Sequence, residues 1–360
     1  MNARILGGAF ALAALFASAT QAQETNQRFQ ADGTLNLPAS KLPPSSLVSQ
    51  GYRDAYLKSL RDEASWPFPA PAFDAPKPAW DKFDADYDRL VASPALADIE
   101  KLYPAKVEEQ MIDGVRVGIV TPDNGIAPEN RDRVLIHAHG GGFFAGRGLV
   151  GGLVEALPMA HFARMKVVTI DYRMAPYFRF PAASEDVEKV YRRLLRTYRP
   201  KAIGMFGCSA GGALTAQTVT WLASKKLPGL GAAGIFCSAP VPFGKGGDSR
   251  VWGGGTGPMP ATPQGYMAGA DPSDPRAFPA ASDEALAKFP PVLLYSGTRA
   301  ADLSPVVVAH ARFLKLGVDS EMYIQENGQH GAFVVGQRGT PEAVDTLAYM
   351  ARWFDKHLAR

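Results

Sequence analysis

Ala202–Ser224 reads AIGMFGCSAGGALTAQTVTWLAS, and this stretch decides the fold. Ala202–Phe206 is an apolar run of strand length, and Ala210–Ser224 is a proline-free segment long enough for a helix. Between them, Gly207-Cys208-Ser209-Ala210-Gly211 matches G-x-S-x-G. A serine on a tight strand-to-helix turn needs small neighbours, because backbone crowds backbone there. Such a turn lifts the serine Oγ above the strand ends, where a base can take its proton. The positive end of the following helix favours negative charge developing beside it. The plain alternative is a serine that merely caps the helix.

Working outward from this elbow, the same strand-then-helix rhythm repeats. Upstream, Arg133–His139 reads as a strand, Gly152–Met165 as a helix, Lys166–Tyr172 as a strand and Glu185–Tyr198 as a helix. Ser184 is the predicted cap of that last helix, and Pro200 closes it. Downstream, strands are predicted at Ala232–Ser238, Pro291–Ser296 and Glu321–Gln325, with helices at Ser304–Leu316 and Pro341–His357. Val107–Asp113 and Val115–Pro122 alternate across Asp113-Gly114, which signals a hairpin. Nearly continuous apolar strands alternating with helices mean an α/β fold, a mainly parallel sheet covered on both faces.

Two stretches break the rhythm. Residues 24–105 are proline-rich and aromatic, with WPFPAPAFDAPKPAW at Trp66–Trp80 and helical patches at Tyr52–Ala64 and Trp80–Ala92. They read as a covering segment on a catalytic domain spanning 106–360. Residues 241–288 form a glycine- and proline-rich insertion in that domain. Residues 1–23 hold one cation at Arg4, an apolar run from Ile5 to Phe16, then small residues. That run is well short of the roughly 20 residues a spanning helix needs, so it reads as a signal peptide. The expectation is an exported protein, periplasmic or secreted, with no stable membrane anchor.

Composition narrows the classes. The chain has 360 residues, 46% of them hydrophobic and 20% charged, with a net charge of +3. This is ample for a core, and without a basic run nothing points to nucleic acid. The 36 glycines and 29 prolines suit shaped loops. Among these, His139-Gly140-Gly141-Gly142 directly follows a strand. Consecutive glycines are costly to order, so they suggest backbone N–H groups that must face a ligand. Gly141 and Gly142, with Ala210 from the elbow, are candidate donors to an oxyanion.

HGGGFF at His139–Phe144, DYRMAP at Asp171–Pro176, FPAASEDV at Phe180–Val187 and GCSAGG at Gly207–Gly212 stand in a telling order. From about Arg133 onward the chain resembles the hormone-sensitive-lipase-like esterases, a family of α/β-hydrolases. The resemblance implies an α/β-hydrolase fold, a small-molecule ester as substrate, no cofactor, and a cap made by residues 24–105 and 241–288. It departs at Cys208, where the family usually has an acid, and at Tyr177, where it usually has Glu.

Of the 6 histidines, only His330 lies in a loop at the end of the last predicted strand. A base must reach the serine from that sheet edge, and the resemblance puts the catalytic histidine at the same point. The acid should follow the preceding strand, where many family members have it three residues after the glycine. Ala300 stands there. Asp302 is the nearest carboxylate and is chosen to orient His330, with Glu326 in reserve and helix capping as its plain alternative.

The leading expectation is therefore a serine carboxylester hydrolase acting through an acyl-enzyme. A catalytically weak or inactive binding protein, and an amidase, peptidase or lactone hydrolase with the same triad, are the alternatives. A metal hydrolase built on His137 and His139 lacks a second ligand cluster. Trp66, Phe68, Phe73, Trp80, Trp252 and Tyr266 suggest an apolar acyl or aryl pocket. Cys208 and Cys237 are the 2 cysteines, and the position of Cys208 beside Ser209 argues against a structural disulfide.

Overall fold

A computed structural model of the protein describes residues 30–36, 41–64, 69–253, 259–334 and 336–359. The segment expected to be a signal peptide, together with Trp66 and Phe68, lies outside the described residues. The chain divides into two compact units, Met1–Pro44 and Ser45–Arg360. In the first, Gln30–Asn36 forms a tight turn in which Gln30 N–H donates to Thr34 O at 2.8 Å. In the second, among the described residues, no helix is long and apolar enough to cross a membrane.

The second unit opens with helices α1 (Gln50–Ala64), α2 (Lys77–Tyr87) and α3 (Ser93–Leu102), the latter two joined by a π-helical turn at Asp88–Ala92. The sheet begins with β1 (Ala105–Ile112) and β2 (Val115–Pro122), paired antiparallel. Asp113 and Gly114 both take positive φ, 46° and 82°, as a two-residue hairpin turn requires. Then follow β3 (Val134–Ala138), α4 (Leu149–Ala163), β4 (Lys166–Asp171), α5 (Ala182–Leu194), β5 (Ile203–Cys208) and α6 (Ala210–Ser224). The chain continues through β6 (Ala232–Phe236), a short α7 (Asp283–Leu286), β7 (Val292–Gly297), α8 (Leu303–Lys315), β8 (Ser320–Gln325) and α9 (Pro341–His357).

The strands form one eight-stranded sheet in the order β1-β2-β4-β3-β5-β6-β7-β8. From β4 to β8 every pairing is parallel, and only the β1–β2 and β2–β4 pairs are antiparallel. Side chains of one strand go alternately to the two faces. Leu135 and Phe206 face one layer with Leu157, Met159, Met350 and Phe354 from α4 and α9. Val134, Ile136 and Met205 face the other, with Val187, Tyr191, Leu214 and Leu222 from α5 and α6. Two covered faces explain why β3 and β5 are buried along their whole length and read as unbroken apolar runs.

One local expectation fails. Helix α5 starts at Ala182, so Ser184 lies inside it, fully buried, and does not cap it. Ala182 and Ala183 are good helix formers and are buried against the core, which moves the start back. The Ala183 N–H donates instead to Tyr266 Oη at 2.8 Å, so a tyrosine from the 241–288 insertion satisfies the helix end.

Candidate active site

The elbow forms as its sequence predicts. Ser209 sits between β5 and α6 at φ 59° and ψ −119°, a strained conformation that non-glycine residues rarely adopt. Its N–H donates to Phe236 O at 2.8 Å, which pins the turn to the end of β6. The glycine spacing has a steric cause: a Cβ on Gly211 would overlap the Ala138 carbonyl at the end of β3. Ser209 is half-buried and Ala210 is buried.

The loop after β3 lies against this elbow. A Cβ on Gly140 would lie 3.6 Å from Ser209 Cβ, so the two segments touch. Gly141 has φ 103°, and a Cβ there would overlap the Ala145 carbonyl, which only glycine avoids. The Gly140 N–H donates to Glu155 Oε1 at 2.9 Å. The backbone bonds among the described residues outside regular elements leave the N–H groups of Gly141 and Gly142 without a carbonyl acceptor. Ala210 begins its helix, where N–H groups have no intrahelical partner. His139 Nδ1 donates to Gly140 O at 2.6 Å, and its ring stacks on Tyr172 at 4.4 Å. Burial holds the His139 imidazole below its usual pKa, which favours the neutral ring.

His330 and Asp302 meet. His330 Nδ1 donates to Asp302 Oδ1 at 2.6 Å, which leaves Nε2 as the free ring nitrogen. The second carboxylate oxygen, Oδ2, accepts from Ser296 Oγ at 2.6 Å. Asp302 stands at the N-cap of α8 yet makes no side-chain capping bond, so its oxygens are committed to His330 and Ser296. Ala300 is buried in the same loop. Of the two carboxylates considered for this role, Asp302 is the one hydrogen-bonded to His330.

The β7 and β8 loops are held together at close range. Arg299 N–H donates to Gly328 O at 2.9 Å and Thr298 N–H to Gln325 O at 3.0 Å. Just past His330, Phe333 packs edge-on against Phe236 and Tyr295 at 6.0 and 4.9 Å. Since Phe236 also receives the Ser209 N–H, the histidine loop folds back over the strand that anchors the serine. Ser209, His330 and Asp302 therefore share the carboxyl edge of the sheet, where open α/β sheets bind ligands.

Three features were not foreseen. Cys208 and Cys237 are joined in a disulfide, contrary to the expectation from the position of Cys208. Cys208 pairs in register with Phe236 across the parallel β5–β6 ladder, and Cys237 follows at φ 52°. This brings the two Cα atoms to 5.1 Å, within disulfide reach. Ser296 supports Asp302, a role that a serine at a strand end does not advertise. Glu155 reaches from α4 into the space beneath the glycine loop, and its sequence signal is being the lone acid in LVGGLVEALPMAHFA.

The proposed pocket aromatics divide. Trp80 and Tyr266 are packing groups at 0% and 2% exposure, and Tyr266 stacks on Phe143 at 4.6 Å. Phe73 and Trp252 keep exposed faces. Trp80, Phe83 and Phe73 enclose Phe144 of the glycine loop, and Arg147 pairs with Asp84, so α2 is built onto that loop. His137 offers no open metal ligand, since its ring nitrogens are bonded to Thr169 Oγ1 and Glu155 Oε2 at 2.9 and 3.1 Å. Among the described residues, no group of three or more His, Cys, Asp or Glu could hold a metal ion.

The chain is similar in sequence and in fold to known esterases. The versiconal hemiacetal acetate esterase of Emericella nidulans is 34% identical over 137 residues, covering 38% of this chain and 46% of that one. The chain thus spans about half the length of that curated relative. The crystal structure of an esterase, E25, superposes with a TM-score of 0.75 at 27% identity, covering 91% of this chain and 99% of that one. The fold is also shared, at 23% identity and a TM-score of 0.67, with an esterase from the bacterial hormone-sensitive lipase family; 87% of this chain and 99% of that one are covered. A family model described as the alpha/beta hydrolase fold matches residues 135–334, from β3 to just beyond His330. The chain belongs to this α/β-hydrolase family.

Proposed function

We propose that the protein is a serine carboxylester hydrolase acting on short-to-medium acyl or aryl esters through an acyl-enzyme. The observation that carries this reading is the His330–Asp302 bond, beside an elbow serine held in a strained turn. In acylation, Ser209 Oγ attacks the ester carbonyl carbon while His330 Nε2 takes its proton. Asp302 holds the tautomer and stabilises the imidazolium. The Gly141, Gly142 and Ala210 N–H groups receive the oxyanion. Collapse of that intermediate releases the alcohol, protonated by His330. Water, deprotonated by the same imidazole, then frees the acid and restores Ser209.

Residues 24–105 and 241–288 would act as the cap, a role supported by the packing of α2 on Phe144 and of Tyr266 on Phe143. The acetate ester named in the Emericella nidulans relative supports a short acyl group. The N-terminal sequence supports export to the periplasm or medium, and the Cys208–Cys237 bridge is of a kind that persists in oxidising compartments.

The test is burst kinetics with p-nitrophenyl acetate and butyrate. Wild type releases a stoichiometric burst of phenol, and Ser209→Ala abolishes it. Wild-type protein that shows neither burst nor turnover refutes the reading.

A further inference from the structure

Helix α4 is apolar along nearly its whole length and carries one acid, Glu155, whose side chain is 11% exposed. A carboxylate in such a place is costly unless its oxygens are hydrogen-bonded. Here they are. Oε1 accepts the Gly140 N–H at 2.9 Å, and Oε2 accepts the Cys208 N–H at 3.2 Å. Oε2 also meets His137 Nε2 at 3.1 Å, while His137 Nδ1 is held by Thr169 Oγ1 at 2.9 Å. With Nε2 as the donor, Thr169 donates to Nδ1, so the ring tautomer follows from the carboxylate.

The two peptides that Glu155 grips lie at the ends of different strands. Gly140 opens the glycine loop after β3, and Cys208 ends β5 immediately before the nucleophile. Both contacts are made by one planar group on a buried helix, so beyond the paired ends of β3 and β5 a single side chain bridges loop and elbow. A Cβ on Gly140 would come within 3.3 Å of Glu155 Oε1, 3.2 Å of Cys208 O and 3.6 Å of Ser209 Cβ, which shows how tightly the three meet.

We infer that Glu155 is a positioning residue for ester hydrolysis: it ties the oxyanion loop to the nucleophile elbow so that the Gly141, Gly142 and Ala210 N–H groups face the carbonyl that Ser209 attacks. This rests on the proposed esterase reading and deepens it. The physical reason is that donors stabilise an oxyanion only when already aimed at its position, and misplacement by about 1 Å can cost on the order of 100-fold in rate. Glu155 itself touches neither substrate nor reacting atoms in this scheme. It acts through the peptides it holds.

Glu155→Gln is the informative variant, because it nearly conserves volume. Its amide oxygen can still accept from Gly140. His137 can reverse its tautomer and accept from the new amide, with Nδ1–H turned to Thr169 Oγ1. Only the Cys208 N–H then loses its acceptor; in the flipped amide, Gly140 loses it instead. Either way one of the two anchors goes.

The experiment measures kcat and KM of the full chain with p-nitrophenyl butyrate, normalised to active sites titrated with a p-nitrophenyl alkylphosphonate. Folding is checked by circular dichroism. We expect kcat to fall by about 10- to 100-fold with KM within about threefold of wild type. A group that merely stabilised the fold would change the fraction of titratable sites and leave normalised kcat alone. Folded Glu155→Gln with normalised kcat within about threefold of wild type, or with the loss confined to KM, overturns the inference. Should Glu155→Gln not fold, Glu155→Asp, which keeps the charge but withdraws both oxygens by one methylene, is judged by the same criteria. Absence of turnover in wild type would instead refute the esterase reading.

Discussion

Replacing Asp302 by Asn tests the weakest link of the sequence-based triad, and the structure sets the expected size of the effect. Asp302 accepts from His330 Nδ1 and from Ser296 Oγ, both at 2.6 Å. A serine hydroxyl can donate or accept. The carboxamide introduced by Asp302→Asn can therefore turn its oxygen to His330 and its NH2 to Ser296. The productive tautomer survives, and what disappears is the negative charge that faces the imidazolium in the transition state. Two unit charges about 5 Å apart at an effective dielectric of about 20 attract by about 3 kcal/mol. The His330 side chain is 49% exposed, so solvent screening reduces this to about 2–3 kcal/mol. Asp302→Asn should then lower kcat by about 30- to 140-fold, using about 1.4 kcal/mol per tenfold.

Asp302→Ala removes orientation as well as charge. Its loss should approach the roughly 10⁴-fold effect known when a triad imidazole is left in the wrong tautomer. Initial rates with p-nitrophenyl butyrate, per titrated active site, give both numbers. The expected order of activity is wild type, then Asp302→Asn, then Asp302→Ala, with Glu326→Gln close to wild type. An Asp302→Asn enzyme within about threefold of wild type, or a larger loss in Glu326→Gln, would refute the assignment of the acid.

The disulfide links residues 29 apart in sequence. Closing a loop of that length restricts the unfolded chain by about 3.5 kcal/mol on the loop-entropy account, so Cys208→Ala/Cys237→Ala should melt about 5 °C lower for a unit of roughly 300 residues. Two titratable thiols in unreduced native protein would contradict the bridge. His139 titrates in the opposite sense to a salt-bridged histidine. Its folded pKa is lowered by burial, so its contribution to stability is present above about pH 6.5 and is lost as pH falls towards the folded pKa. The melting temperature of wild type should thus drop more steeply below pH 6.5 than that of His139→Asn; parallel curves would show that His139 carries no such linkage.

What was legible in the sequence was what depends on local spacing or strand order. The elbow could be read because a strand, a tight turn and a helix each have their own residue pattern, and α6 spans Ala210–Ser224 as predicted. His330 could be read because, of the two histidines beyond the last strand, it alone stands in the loop at the strand end, while His357 lies in α9. Asp302 was reachable only by proximity in the chain, since the loop path that turns its carboxylate to His330 depends on Ser296, six residues earlier on β7. The cap of α5 was misread because its partner, Tyr266, lies 83 residues away in an irregular insertion. Glu155 and the disulfide share this difficulty. Each depends on strand register between segments whose sequences say nothing about one another.

That register also explains why the strained elbow persists. A non-glycine residue at positive φ costs about 1–3 kcal/mol and survives only where its surroundings over-determine it. Ser209 at φ 59° is restrained from three directions. Its own N–H is fixed to Phe236 on β6, the preceding N–H to Glu155 on α4, and the preceding side chain to Cys237 by a covalent bond. Cys237 is itself at positive φ, 52°, so the bridge ties the residue before one strained position to another at the end of the adjacent strand. Neither segment could relax towards an extended conformation without moving the other. The acidic residue usual at the second elbow position in the resembling esterases can offer no covalent tie, and the change to Cys208 supplies one. Glu155 then provides a carboxylate beside the elbow from a different element, α4, at the point where the glycine loop must also be held.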